Sequence, residues 1–359
     1  MTKGITMKRR VGSIAALATA SAALLVLSAC SATPDGSAGG GTAGSADLVS
    51  LVQTGKKTDV TEVEKALGTP KAKSDVKLCY VTRTLANEFW GYERDGFESE
   101  AKKLGVKYQT FAVNDESSIT EQLDKAQSAL NQGCSAILAS PISATALDTV
   151  FKAALAKGVP AIVLNDAQGT VPGVVYVGPD AETIGETAAD YIAKQLPDGG
   201  KVAQIEGDPG SSNALNRGKG FKAGIAKNTD LDLVASQTAK WDTNQAQTIA
   251  NAMLTANPDI KAFYSQNDGM GLGVQAAIDA KGLTGKVMLV GTDGIPQAKK
   301  LISDGTYTAT VSERPTTEGE TGVKVALWLL DGKTVPAWVD VPAFIVDKQN
   351  VAQYQTGMP

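Results

Sequence analysis

The chain is expected to be an α/β protein built as two doubly wound parallel-sheet lobes, and three observations point there. From Val76 onward, short β-type runs alternate with amphipathic helical stretches, the pattern of βαβ units and hence of a parallel sheet. The strand-like runs are continuously apolar, as in Ala161-Ile162-Val163-Leu164, which is how strands covered on both faces read. The pattern then begins again beyond Gly178-Pro179-Asp180, and the roughly 285 residues from Asp75 onward exceed a usual single domain.

In the first unit the strands are expected at 77–83, 106–112, 135–139, 160–164 and 174–177. Between them, Ile119, Leu123, Ala126 and Leu130 recur at steps of three and four and give one apolar helix face. The second unit repeats the plan with strands at 201–205, 231–237, 260–265, 286–290 and 307–311. A helix at 317–330 and a last strand at 341–346 complete it. The expected lobes are 75–178 plus about 314–340, and 179–313 plus about 341–359.

The first thirty residues read as an export signal. Lys8, Arg9 and Arg10 precede an uncharged Ala- and Leu-rich run over 11–27, of signal-peptide length. Leu27-Ser28-Ala29-Cys30 then reads as a lipobox, in which small residues suit the peptidase and the Cys30 thiol takes the lipid. The expectation is a signal peptide over 1–29 and a lipid-anchored Cys30 outside the membrane; an uncleaved membrane anchor is the alternative. Residues 31–46 are almost wholly Ser, Ala, Thr, Gly and Pro, a flexible spacer. The rest of an N-terminal extension, to residue 74, is polar. It carries one short helical pattern (Val60, Val63, Leu67) stopped by Gly68-Thr69-Pro70, and no function is assigned to it.

Composition removes several kinds of chemistry. A net charge of −4 without a basic stripe argues against a nucleic-acid partner. The chain contains no histidine, so a Ser-His-Asp triad, a Cys-His dyad and a His-ligated metal are excluded. Hydrolysis by two carboxylates or a Ser-Lys pair stays open. No cofactor or metal is expected. Gly269-x-Gly271-x-Gly273 lacks the spacing of a dinucleotide fingerprint and reads as a tight strand–helix junction. Cys79 and Cys134 start predicted strands, so either a disulfide or two buried thiols would fit.

In open α/β sheets, ligands lie beyond the carboxyl ends of the strands, and the residues there form a coherent set. Arg83, Asn87, Phe89 and Trp90 follow the first strand, and Asn165 and Asp166 the fourth. In the second unit come Arg217 at a helix start, Trp241-Asp242, Asn267-Asp268, Asp293 and Glu313-Arg314. Aromatic faces pack on the C–H surface of a polyhydroxylated solute, while Asp, Asn and Arg hydrogen-bond vicinal hydroxyls. Each Asn or Asp has a plainer reading as a helix cap, and Phe89 as a core residue. Trp328 and Trp338 read as packing.

These residues also carry a resemblance. From about Val76 to Val346 the chain resembles the ribose-type periplasmic sugar-binding proteins of ABC importers, whose fold is shared by lac-type repressors. The matching segments are 84–90 (Thr-Leu-Ala-Asn-Glu-Phe-Trp), 216–221 (Asn-Arg-Gly-Lys-Gly-Phe), Trp241-Asp242, Gln266-Asn267-Asp268 and Val290-Gly291-Thr292-Asp293-Gly294. The signal peptide stands where a repressor would carry its helix-turn-helix. The resemblance implies a type I periplasmic-binding-protein fold, two lobes joined by three crossovers and closing on one solute. Hinges would lie near Gly178-Pro179-Asp180, near Glu313-Arg314 and before the final strand. Asn87, Phe89, Trp90, Arg217, Trp241, Asn267 and Asp293 would line the pocket.

The chain departs from the ribose-type pattern at Arg83, at Asn165-Asp166 and at Glu313. The departures imply a ligand other than ribopyranose, either a different monosaccharide or an acyclic sugar alcohol, with the polyol ahead. The expected protein is a monomeric, non-enzymatic receptor serving an ABC permease and its ATPase, touching the membrane only through its lipid. Its rivals are a secreted carboxylate-based glycoside-processing enzyme and a sugar-sensing lipoprotein.

Overall fold

The computed structural model describes residues 45–71, 74–166 and 170–358. The signal peptide, Cys30 and nearly all of the spacer lie outside the described residues. In chain order the first elements are α1 (Ser45–Ser50), β1 (Val52–Asp59), α2 (Val60–Leu67), β2 (Lys77–Thr84), α3 (Glu88–Lys103), β3 (Lys107–Val113), α4 (Ile119–Asn131), β4 (Ala136–Ala139), α5 (Asp148–Ala156), β5 (Ala161–Leu164) and β6 (Val175–Gly178). There follow α6 (Ala181–Gln195), β7 (Gly200–Glu206), α7 (Ser212–Lys227), β8 (Leu231–Thr238), α8 (Thr243–Ala256), β9 (Ile260–Ser265), α9 (Asp268–Ala280), β10 (Met288–Asp293), α10 (Pro296–Asp304) and β11 (Ala309–Ser312). Last come α11 (Pro315–Leu330), β12 (Val335–Asp340) and β13 (Phe344–Asp347).

Two sheets result. The first has seven strands in the order β1-β12-β6-β5-β4-β2-β3, all parallel. The second has six in the order β13-β11-β10-β9-β7-β8. Only its edge strand β13 runs antiparallel, on β11, because the short link from β12 leaves no room for a crossover helix. The chain passes between the sheets at 178–181, 312–315 and 340–344.

The strand interiors are buried on both faces, which is why β4, β5 and β6 show no polar alternation. Leu78, Tyr80, Phe97, Leu138, Ile162 and Trp328 centre one core of the first lobe. Phe221, Tyr264, Val290 and Val311 belong to one core of the second. Cys79 on β2 is disulfide-bonded to Cys134 just before β4, with Cα atoms 5.9 Å apart, so the two neighbouring strands are cross-linked.

Two strands escape the sequence reading. Residues 52–59, read as part of an unassigned extension, are the parallel edge strand β1, paired along β12. Only Val52 in β1 is buried, and the strand is otherwise exposed or half-buried, so no apolar run marks it. In β12, Pro336 masks the strand.

Candidate ligand-binding site

The carboxyl ends of both sheets converge on one void. Arg83, Asn87, Phe89, Trp90, Glu116 and Asp166 line it from the first lobe, and Ser211, Asn213, Arg217, Trp241, Asn267 and Asp293 from the second. The void is narrow, ≈ 30 Å³. It meets a wider outer cleft of ≈ 620 Å³ that shares Asn87, Glu116, Trp241 and Asn267.

Capping and lining turn out to be compatible. Asn87 caps α3 by accepting from the Phe89 amide at 3.1 Å, and Asn267 caps α9 by accepting from the Met270 amide at 2.8 Å. Each cap uses the side-chain oxygen alone; the Asn87 NH2 donates to Glu116 at 3.3 Å, and the Asn267 NH2 is left to turn toward the cleft. Asp242 only caps α8, through the Gln245 amide. Phe89 and Trp90 are buried edge to face, centroids 4.9 Å apart, and pack with second-lobe residues that include Met270 and Ile295.

Four site residues hold a left-handed backbone without being glycine: Asn165 (φ 44°), Asp166 (φ 67°), Trp241 (φ 67°) and Asp293 (φ 109°). Such conformations are costly for side-chain-bearing residues and gather at functional sites. The Trp241 ring also lies so close to Gly207 that a Cβ there would sit 2.1 Å from it. A bare backbone is required under the indole.

The departures read separately in the sequence prove to be paired. Arg83 and Asp166 form a buried ion pair. Arg83 also reaches Glu116 at 3.4 Å and lies 4.9 Å from the Trp90 ring centre. Asp166 further accepts from the Asn213 amide at 2.7 Å and the Ser211 hydroxyl at 3.0 Å, which ties the lobes together. Likewise Asn165 donates to Glu313 at 2.9 Å, and Glu313 accepts from Arg217. Asn165 and Glu313 do not line the void, contrary to the sequence expectation. Both have no exposed surface and stand behind Arg217, because the left-handed turn at 165 points the amide inward at Glu313.

Glu116, Ser211 and Asn213 line the void without having been singled out. Glu116 accepts from the Trp90 indole at 2.9 Å and the Asn87 amide at 3.3 Å. The rule that found the other residues applies to it, since it lies just beyond β3. Ser211 and Asn213 sit at the start of α7, one to two turns before Arg217.

Both pocket guanidinium groups are therefore matched by protein carboxylates: Arg83 by Asp166 and Glu116, Arg217 by Glu313 and, at 3.7 Å, Asp293. Burial holds the Asp293 carboxyl well above its ordinary value, with Glu313 and Asp268 adding to the rise and Arg217 opposing it. Among the described residues, three buried side-chain atoms of the lining lack any protein partner: Asn213 Oδ1, Arg217 Nε and Trp241 Nε1. One accepts and two donate.

This geometry meets the comparisons with known proteins. Residues 78–334 match the family model described as a periplasmic binding protein domain. The chain belongs to the periplasmic binding protein family. The D-allose-binding periplasmic protein of Escherichia coli K12 is 37% identical over 267 residues, covering 71% of this chain and 85% of the relative. The xylitol-binding protein of Mycolicibacterium smegmatis is 31% identical over 289 residues, covering 79% and 82%. Among solved structures, an ABC-transporter solute-binding protein from Actinobacillus succinogenes with bound D-allose superposes with a TM-score of 0.74 at 28% identity, covering 78% of this chain and all of that one. As a periplasmic binding protein the chain is a solute-binding transport component rather than an enzyme, and its place is extracytoplasmic.

Proposed function

We propose that this periplasmic binding protein captures one uncharged monosaccharide or sugar alcohol between its lobes, the polyol being favoured, and delivers it to an ABC permease while anchored by lipid on Cys30. The observation that carries the reading is the lining's polar balance. Residues that line the void beside Phe89 and Trp90 carry two unpartnered donors and one unpartnered acceptor, while each cation already faces carboxylate. A buried polar atom left unmet costs about 1–3 kcal/mol, and a hydroxyl can meet either kind by donating or accepting. An anionic solute would find both guanidinium charges in this lining already matched by carboxylates, so sugar acids and sugar phosphates are disfavoured. The likeness to a xylitol-binding relative supports the acyclic polyol.

The test is a thermal-shift screen of the mature chain against pentoses, hexoses, tetritols, pentitols, sugar acids, sugar phosphates and amino acids. A true ligand at 100 times its dissociation constant stabilises by about 2.7 kcal/mol. The expected result is a raised Tm with an uncharged polyol or monosaccharide; a rise only with an amino acid or an anionic sugar contradicts the reading.

A further inference from the structure

Behind the void, in the first lobe, α3 and α11 run backbone against backbone. A Cβ on Gly96 would come 2.1 Å from the Thr316 carbonyl oxygen, and one on Gly319 would come 2.1 Å from that of Glu93. Two carboxyls, Glu93 on α3 and Glu318 on α11, sit at this contact with no exposed surface, and each acts on the other's hold on its proton. Glu93 Oε2 accepts from the Tyr80 and Ser140 hydroxyls. Glu318 Oε2 accepts from the Asn165 amide at 3.0 Å. The remaining oxygen of each, Oε1 in both, has no donor among the described residues.

Two ionised carboxylates here would leave two orphan acceptors at one buried contact, with like charges in a medium that screens them poorly. One proton between them turns one oxygen into a donor to the other. We propose that Glu93 and Glu318 share a single retained proton, and that the locked pair is a positioning group for Arg217 on the opposite lobe. The connection is continuous. The Asn165 side-chain NH2 reaches both Glu318 at 3.0 Å and Glu313 at 2.9 Å, and Glu313 receives Arg217. Losing the proton puts a second charge beside Asn165 and Glu313 and changes the field in which Glu313 holds Arg217. This consequence for the ligand rests on the solute-binding reading; the shared proton does not.

The groups facing the pair are few. Tyr80 and Arg83 approach from β2, Ser140 from the end of β4, Tyr176 from β6, and Asn165 and Glu313 from the two connections, with Arg217 beyond Glu313. Both tyrosines are held well above their ordinary value by burial and so stay neutral. Arg83 and Arg217 are each already paired. Burial pushes Glu93 up to about 7, and burial with the neighbouring carboxyls holds Glu318 well above its ordinary value. Because the folded pair binds its proton more tightly than unfolded glutamate does, its stability contribution is full below 4.5 and is lost as pH rises through about 7.

The experiment uses the whole mature chain without any sugar. Infrared spectra of protein labelled with ¹³C-glutamate should show a protonated carboxylic C=O band at about pH 6 that disappears in both Glu93→Gln and Glu318→Gln. The Tm of the wild type should fall from about pH 5 to about pH 8 by more than that of Glu318→Gln, whose amide supplies the missing donor permanently. The Arg217 Nε–H resonance should move with the infrared midpoint in the wild type and lose that step in Glu318→Gln. No glutamic-acid band, or an Arg217 step unchanged in the Gln variant, would overturn the proposal. Since no sugar is used, failure of the solute-binding reading cannot imitate either result.

Discussion

At the scale of residues, the site works because single side chains serve the fold and the cleft at once. Asn87 and Asn267 give their oxygen to a helix N-terminus while both line the void, Asn87 also donating to Glu116. Strand-end position makes such residues visible in a sequence, since caps and ligand contacts fall at the same place. It does not tell which way a side chain turns: Asn165 and Glu313 occupy strand ends yet face each other behind the wall. Trp241 depends on the bare Gly207 beneath it. Gly207→Ala should therefore weaken binding of the screened ligand by tenfold or more, about 1.4 kcal/mol, while circular dichroism stays native; unchanged affinity would remove Trp241 from the site. Asp293→Ala should cost more, about 2–4 kcal/mol in affinity, because it leaves the buried Arg217 short of a carboxylate as well as losing a ligand contact. Asp268 accepts from the Gly294 and Ile295 amides, Tyr307 and Thr310. Burial still pushes it up to about 7. Its folded value lies above the unfolded one, so its contribution is present in acid and is lost as pH rises through about 7. Asp268→Asn should flatten part of the Tm-against-pH slope over that range.

Elements were legible where burial leaves a signature. Strands covered on both faces, such as Ala161–Leu164, show unbroken apolar runs, while of the stripe expected on α4 Ala126 and Leu130 are buried, Leu123 is half-buried and Ile119 is exposed. Edge strands carry less. β1 has a sequence, Val-Gln-Thr-Gly-Lys-Lys-Thr-Asp, that nothing local marks as a strand, and only pairing with β12 makes it one. The cost of removing it is correspondingly tertiary. Val52, Val60 and Val63 belong to the first-lobe core, Lys324 pairs with Glu64 at 2.7 Å, and the Trp328 indole donates to the Gly68 carbonyl. A chain lacking 45–71 should lose several degrees of Tm and associate through the uncovered β12 edge; scanning calorimetry and sedimentation check both. The cross-link between β2 and β4 spans 55 residues. Replacing both cysteines by serine should lower unfolding stability by about 4 kcal/mol in denaturant titrations on the chain-entropy view.

At the scale of the whole molecule, three connections among the described residues join two sheets which meet at their strand ends. Opening about the links at 178–181, 312–315 and 340–344 would break and remake interlobe bonds such as Asp166 to Ser211. Tethering such a trap by lipid would keep it near a permease; Cys30→Ala should release the chain from membranes into the soluble fraction, and retention would contradict the anchor. The central claim is that one uncharged polyhydroxylated solute fills the void and leaves chemically unchanged. Isothermal titration of the mature chain with xylitol, ribitol, D-allose, a sugar acid and a sugar phosphate, followed by analysis of the recovered ligand, tests it most directly. One-to-one binding of at least one neutral compound, recovered intact, is the predicted result. Heat from the anionic compounds alone, or a bound solute returned as product, would contradict it.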